Sequence, residues 1–221
     1  MTEHRRTWLK SLPFVALSIL ALVAITRQTA IPWRYFFTDL PVVLQVPVMA
    51  CVFTSASAVL WCSSGLIALF ASTLCSPDSK RPLRILGVLS VVLGADDLAM
   101  IHETLLPRAL GMTEKMQGIA VESVVFLSYA CVLLGWLIAY FKKVGWDARP
   151  FLIGAILCFA FSLAADMASS LKLFGRWSRF RTDYDFQMLV EDGPKFVGVV
   201  LWSIFAWHYS RSTLTSGGDA N

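Results

Sequence analysis

Ionisable side chains interrupt four otherwise apolar stretches of this chain. A charged side chain at the centre of a bilayer costs about 2.5 kcal/mol or more, and it persists only where it is paired, metal-bound or facing a cavity. Each such residue is therefore a candidate for function. Six of them lie toward one side of the predicted membrane and define the candidate site: Asp96, His102, Glu103, Glu122, Asp166 and Glu191.

One imidazole together with several carboxylates is a ligand set that suits a divalent Zn, Mn or Fe ion. The residue types do not identify which of these metals binds. Carboxylate-rich helical bundles hold such ions between facing helices. Four residues are the predicted metal ligands: His102, Glu103, Glu122 and Glu191. Three more are predicted to be catalytic, as general base or charge partner: Asp96, Asp166 and Lys195.

The spacing of these residues predicts two layers. On a straight helix Asp96 and Glu103 share a face but lie about 10 Å apart along the axis. Measured from the outer ends of the spans, His102 lies about 6 to 8 Å deep and Asp96 about 16 Å deep. We therefore expect the ligands to form an upper layer, with Asp96 and Asp166 below them. Asp97 points away from this face and is expected to be solvated or to cap a helix.

The same residues suit other functions. Stacked acids can form the relay of a proton- or cation-coupled transporter, although the sequence lacks the internal repeat that transporters usually show. Glu191 and Lys195, spaced as a helical ion pair, also fit an ordinary capped helix start next to Pro194. A membrane assembly factor with a structural polar core is a third alternative.

The amino-acid composition indicates which type of secondary structure holds this site. Hydrophobic residues make up 57% of the 221-residue chain and charged residues 15%, which excludes an ordinary soluble domain. Segments of about 20 apolar residues span a hydrocarbon core as helices. The sequence predicts an all-α, polytopic transmembrane helical bundle without a soluble domain: one domain over residues 1–211 and a disordered tail over 212–221. Six spans are predicted: 8–26, 46–73, 83–106, 118–141, 151–173 and 186–209.

The charge pattern predicts partners and orientation. The net charge of +4 is spread through the loops, which suits membrane lipids and not nucleic acid. The oligomeric state is left open. A small excess of Lys and Arg on the side of the termini predicts that the N- and C-termini are both cytoplasmic. The five cysteines show no CxxC spacing and are expected to be buried hydrophobic residues.

Two stretches, LGADDLAMIHE and VEDGPKFVGVVLW, resemble a family of uncharacterised bacterial polytopic membrane proteins. In that family Asp-Asp or Asp-Glu precedes His-Glu on a middle helix, and an acidic-acidic-Gly-x-Lys pattern begins the last helix. The resemblance runs from Trp61 to Trp202 and implies no activity. It implies that the family pattern includes Asp96, Asp97, His102, Glu103, Glu191, Asp192 and Lys195.

A more distant similarity is to the alkaline-ceramidase-like membrane hydrolases, which hold a catalytic zinc among transmembrane helices with three histidines. This chain lacks their His-x-x-x-His on the last helix. The similarity therefore implies only that a metal ion could bind inside a helical bundle. The leading prediction is a metal-dependent enzyme that acts on a lipid or lipid-linked substrate.

Overall fold

The computed structural model describes residues 52–99, 101–102, 106–111, 115–170 and 184–218. These residues form helices and contain no strand, which confirms the predicted all-helical fold for this part of the chain. The helices are α1 (Val52–Leu74), α2 (Pro77–Ala99), α3 (Leu106–Ala109), α4 (Lys115–Tyr140), α5 (Arg149–Ser170) and α6 (Tyr184–Gly218). A short 3₁₀ turn, Phe141–Lys143, follows α4.

Three helical stretches in the described residues are long and apolar enough to cross a membrane: Phe53–Leu74, Val121–Lys143 and Arg149–Ala168. They correspond to the predicted second, fourth and fifth spans. The predicted third and sixth spans are helical as α2 and α6, although these helices carry more charge. The predicted first span, residues 8–26, lies outside the described residues.

The bounds of α2 differ from the predicted span 83–106. The helix begins at Pro77, where the missing N–H of proline costs no hydrogen bond. The carbonyl of Ser76 accepts hydrogen bonds from the N–H groups of Ser79 and Lys80, both at 3.0 Å, which caps this start. The helix ends at Ala99, before the predicted boundary.

Helix α6 continues to Gly218, beyond the predicted end of the last span at residue 209 and into the predicted disordered tail. Hydroxyl groups in this extension bond to carbonyls one turn back. Ser212 and Thr213 both donate to the Tyr209 carbonyl, at 3.0 and 2.7 Å. A helix that satisfies these side chains internally persists outside an apolar segment, and it stops at the paired glycines 217–218.

The chain divides into two compact units. The first unit comprises Ala58–Gly145 and Ala206–Asn221, and the second comprises Met1–Ser57 and Trp146–Phe205. Helices α2 and α4 belong to the first unit, and α5 belongs to the second.

Two glycines set the packing of α1 on α2 in the first unit. A Cβ atom on Gly87 would lie 2.9 Å from the carbonyl oxygen of Gly65, and one on Gly65 would lie 2.7 Å from that of Gly87. Both distances are shorter than real Cβ contacts, so only glycine fits. The two backbones therefore approach closely, as small residues allow between membrane helices.

Helix α4 is fixed to α2 by Trp136, which is 2% exposed. Its indole N–H donates a hydrogen bond to the Pro82 carbonyl at 2.9 Å, and its ring meets the ring of Tyr209 edge-on with centroids 5.8 Å apart. A buried tryptophan N–H requires such a partner. This contact sets the position of α4 along α2.

In the second unit, α5 packs on α6. The Ser162 hydroxyl donates to the Glu191 carbonyl. Farther along, Gly198 faces the ring of Phe159, where a Cβ atom would lie 2.6 Å from Cε1. Since 162 pairs with 191 and 159 with 198, the two helices run antiparallel.

Candidate functional site

The candidate site forms at the C-terminal end of α2. After Ala99 the chain passes through a π-helical turn that includes Ile101 and His102, and α3 begins at Leu106. Such turns are rare and occur mainly at functional sites. Gly111, with φ of +69°, adopts a left-handed conformation just after α3 and leads the chain toward α4.

Asp96 and His102 form a doubly hydrogen-bonded pair. The imidazole Nδ1 lies 2.8 Å from Asp96 Oδ2, and the His102 backbone N–H donates to Asp96 Oδ1 at 3.0 Å. Both residues are buried, with 2% and 3% of their surface exposed. Each carboxylate oxygen therefore has a donor from the same histidine, which fixes the orientation of the ring.

This contact shows that the predicted layers were wrong for these two residues. On a straight helix, residues six apart lie about 9 Å apart along the axis and about 120° apart around it. The π-helical turn at Ile101 and His102 departs from that straight geometry, and His102 reaches Asp96.

Helix α4 supplies the rest of the surroundings. The Tyr129 hydroxyl donates to Asp96 Oδ2 at 3.1 Å. The ring of Phe126, one turn earlier on the same face, lies 4.8 Å from the imidazole between centroids. Sequence reasoning did not select either residue. A tyrosine in the middle of an apolar helix was the available signal, because a buried phenol hydroxyl needs a partner.

The other predicted site residues are divided between the two units. Glu122 is half-buried on α4, one turn before Phe126. Three residues lie in the second unit and are also half-buried: Asp166, Glu191 and Lys195. Glu103, the neighbour of His102, lies outside the described residues.

The predicted metal site is not supported by the part of the chain that the structure describes. Within those residues, no three His, Cys, Asp or Glu side chains come close enough together to hold a metal ion. Among the described residues, α4 places the ring of Phe126 and the phenol of Tyr129 beside the pair, and neither is a His, Cys, Asp or Glu side chain.

A family model described as a domain of unknown function (DUF8692) matches residues 12–209. This match confirms the predicted relation to a family of uncharacterised proteins, while the bacterial origin and the two motifs stay predictions. No curated protein and no solved structure matches the chain. Function must therefore be argued from the geometry of Asp96, His102 and Tyr129.

Proposed function

We propose that this chain, which belongs to the DUF8692 family, is an integral membrane enzyme that uses His102 as a general base on a lipid or lipid-linked substrate. Its location is the bacterial inner membrane, with both termini in the cytoplasm. Three helical stretches that are apolar enough to cross a membrane support the membrane assignment.

The buried pair of Asp96 and His102 carries this proposal. With Nδ1–H donated to Asp96 Oδ2, the lone pair of the neutral imidazole is on Nε2, which is the nitrogen able to accept a proton. The carboxylate stabilises the imidazolium that then forms. The second bond, from the His102 backbone to Oδ1, and the bond from Tyr129 hold the carboxylate in place.

The chemistry follows from this arrangement. Nε2 removes a proton from water, and the water oxygen attacks an ester or phosphoryl centre of the substrate. The bond from that centre to the leaving oxygen breaks, and the proton on Nε2 passes to the leaving oxygen.

A divalent Zn, Mn or Fe ion is a variant of the same proposal. Metal-ligating histidines usually donate their other ring N–H to a carboxylate, and His102 has that arrangement with Asp96. His102 would bind through Nε2 together with Glu103, and the ion would activate the attacking water.

Elemental analysis of the purified protein tests this variant. The metal form predicts a stoichiometric ion that His102→Ala lowers at least about tenfold and that Asp97→Asn leaves in place. Wild-type protein without metal would leave Nε2 as an unassisted base.

The π-helical turn beside the buried pair favours a second candidate function, a proton- or cation-coupled transporter. Such turns are frequent at functional sites, and buried ionisable residues in membrane helices often mark proton pathways. In that function Asp96 and His102 bind and release a proton during the transport cycle.

Reconstitution separates the two functions. Wild type, His102→Gln and Asp97→Asn are placed in liposomes of total bacterial lipid extract, and lipid products are followed by mass spectrometry. The enzyme proposal predicts that one lipid class is converted by wild type and Asp97→Asn and at least about 100-fold more slowly by His102→Gln. Proton movement across the liposome membrane without any lipid product would instead support transport.

A further inference from the structure

An open groove runs along the outer surface between α2 and α4 in the first unit, with a volume of about 420 Å³. Its walls are apolar and include Ile85, Val88 and Val92 from one face of α2 and Val132 from α4. Three of these side chains are strongly exposed: Val88 at 54%, Val92 at 41% and Val132 at 47%. The groove thus presents branched aliphatic side chains to whatever surrounds the protein.

The two ends of the groove differ. Tyr129, whose hydroxyl bonds to Asp96, lines one end, and Arg84 lines the other. Arg84 precedes Asp96 by twelve residues on α2, about 18 Å of helix. Within the described chain Arg84 forms no ion pair, so its guanidinium is available to an external anion.

We propose that this groove binds one acyl chain of an anionic phospholipid whose phosphate pairs with Arg84. The guanidinium matches a phosphate in charge and in its planar fork of donors. Arg84 lies in the first turns of the predicted third span, at the depth where headgroups meet the hydrocarbon. The chain then runs along α2 toward Tyr129.

Charge must supply the selectivity at this site. Lipid tails are as apolar as the groove walls, so moving a chain from the bilayer into the groove brings no hydrophobic gain. One Arg or Lys near a membrane surface favours an anionic lipid by about fivefold. The groove adds a fixed position for the chain next to that charge.

Native mass spectrometry of the full-length protein tests the proposal with an equal mixture of phosphatidylglycerol and phosphatidylcholine. Wild type is expected to retain one phosphatidylglycerol in about fivefold preference, and Arg84→Gln is expected to lose that preference. Arg81→Gln removes an equal charge from an exposed residue that does not line the groove, and it should keep the preference. Val88→Trp, which fills the groove without changing charge, should lower retention of both lipids.

Three results would overturn the proposal. Unchanged preference in Arg84→Gln would exclude its guanidinium as the phosphate site. Equal losses in Arg81→Gln and Arg84→Gln would indicate diffuse attraction to the surface instead of a groove. A change of oligomeric state in Val88→Trp would show that the groove contacts a second copy of the chain. The proposal requires a membrane-spanning protein but not catalysis by His102, so either can fail without the other.

Discussion

At the residue scale, Asp96 is the acceptor for three donors: the backbone N–H of His102, its ring nitrogen and the Tyr129 hydroxyl. All three contacts are made by a carboxylate with 2% exposure, so water cannot replace a lost partner. A buried donor left without an acceptor costs about 1–3 kcal/mol. The local structure after α2 therefore depends on this carboxylate.

Asp96→Asn is expected to destabilise the protein, because an amide has one acceptor oxygen where three donors converge. The expected loss in unfolding free energy is about 1–3 kcal/mol, or several degrees in Tm for a chain of this size. Asp97→Asn is the matched control, since it makes the same chemical change one residue along the helix, at a carboxyl that accepts none of these three hydrogen bonds. Thermal unfolding in detergent measures both. Equal Tm values for the two variants would contradict the role assigned to Asp96.

Sequence reasoning could identify Asp96 and His102 as candidates, because ionisable groups in apolar stretches are conspicuous. It could not predict their contact. Helical geometry keeps residues six apart on different faces, and the contact lies at a π-helical turn that no proline or glycine marks at Ile101 or His102. Tyr129 was missed for a related reason, since its partner lies on another helix.

At the element scale, the α1–α2 pair depends on backbone contact more than on side-chain volume. Gly94 repeats the pattern of Gly87 two turns later, where a Cβ atom would lie 2.7 Å from Cys62 Sγ and 3.1 Å from the Ala58 carbonyl. Glycines seven residues apart share a helix face. The apolar lengths of the helices could be predicted from sequence, but the partner of this face could not.

Gly87→Ala is expected to separate α1 from α2. The new methyl group would lie 2.7 Å from Leu69 Cγ and 2.9 Å from a backbone oxygen that cannot rotate away. Overpacking of this kind costs about 1–3 kcal/mol. Gly135→Ala is the control, because nothing lies within 4 Å of its added methyl group and alanine favours the helix. If chemical denaturation gave the two variants the same stability, the close approach of α1 and α2 would be disproved.

At the scale of the whole molecule, the depths of the buried acids in a membrane stay a prediction from the sequence, and which of these acids meet could not be predicted. Span lengths set depth at about 1.5 Å per residue, whereas the rotation of each helix about its axis depends on packing. The structure accordingly brings Asp96 to His102, while Asp166 and Glu191 belong to the second unit.

Orientation can be tested with single cysteines at Ser79, Thr113 and Thr182 in a background without the five native cysteines. The distribution of Lys and Arg predicts cytoplasmic termini, so an impermeant thiol reagent should label positions 113 and 182 on intact cells and position 79 only after permeabilisation. The reverse labelling pattern would show that the protein has the opposite orientation.

The connection between α1 and α2 consists of Cys75 and Ser76 alone, and the Ser76 carbonyl already caps the second helix. Contacts such as Gly65 with Gly87 join residues close in sequence, and local contacts form fastest. The contact of Gly65 with Gly87 involves no residue of the C-terminal half of the chain, so we expect it to form while the ribosome is still synthesising α5 and α6. The contact of Asp96 with Tyr129 must wait until α4 has emerged. The order of synthesis thus predicts a formed α1–α2 hairpin before the pair of Asp96 and His102 is enclosed.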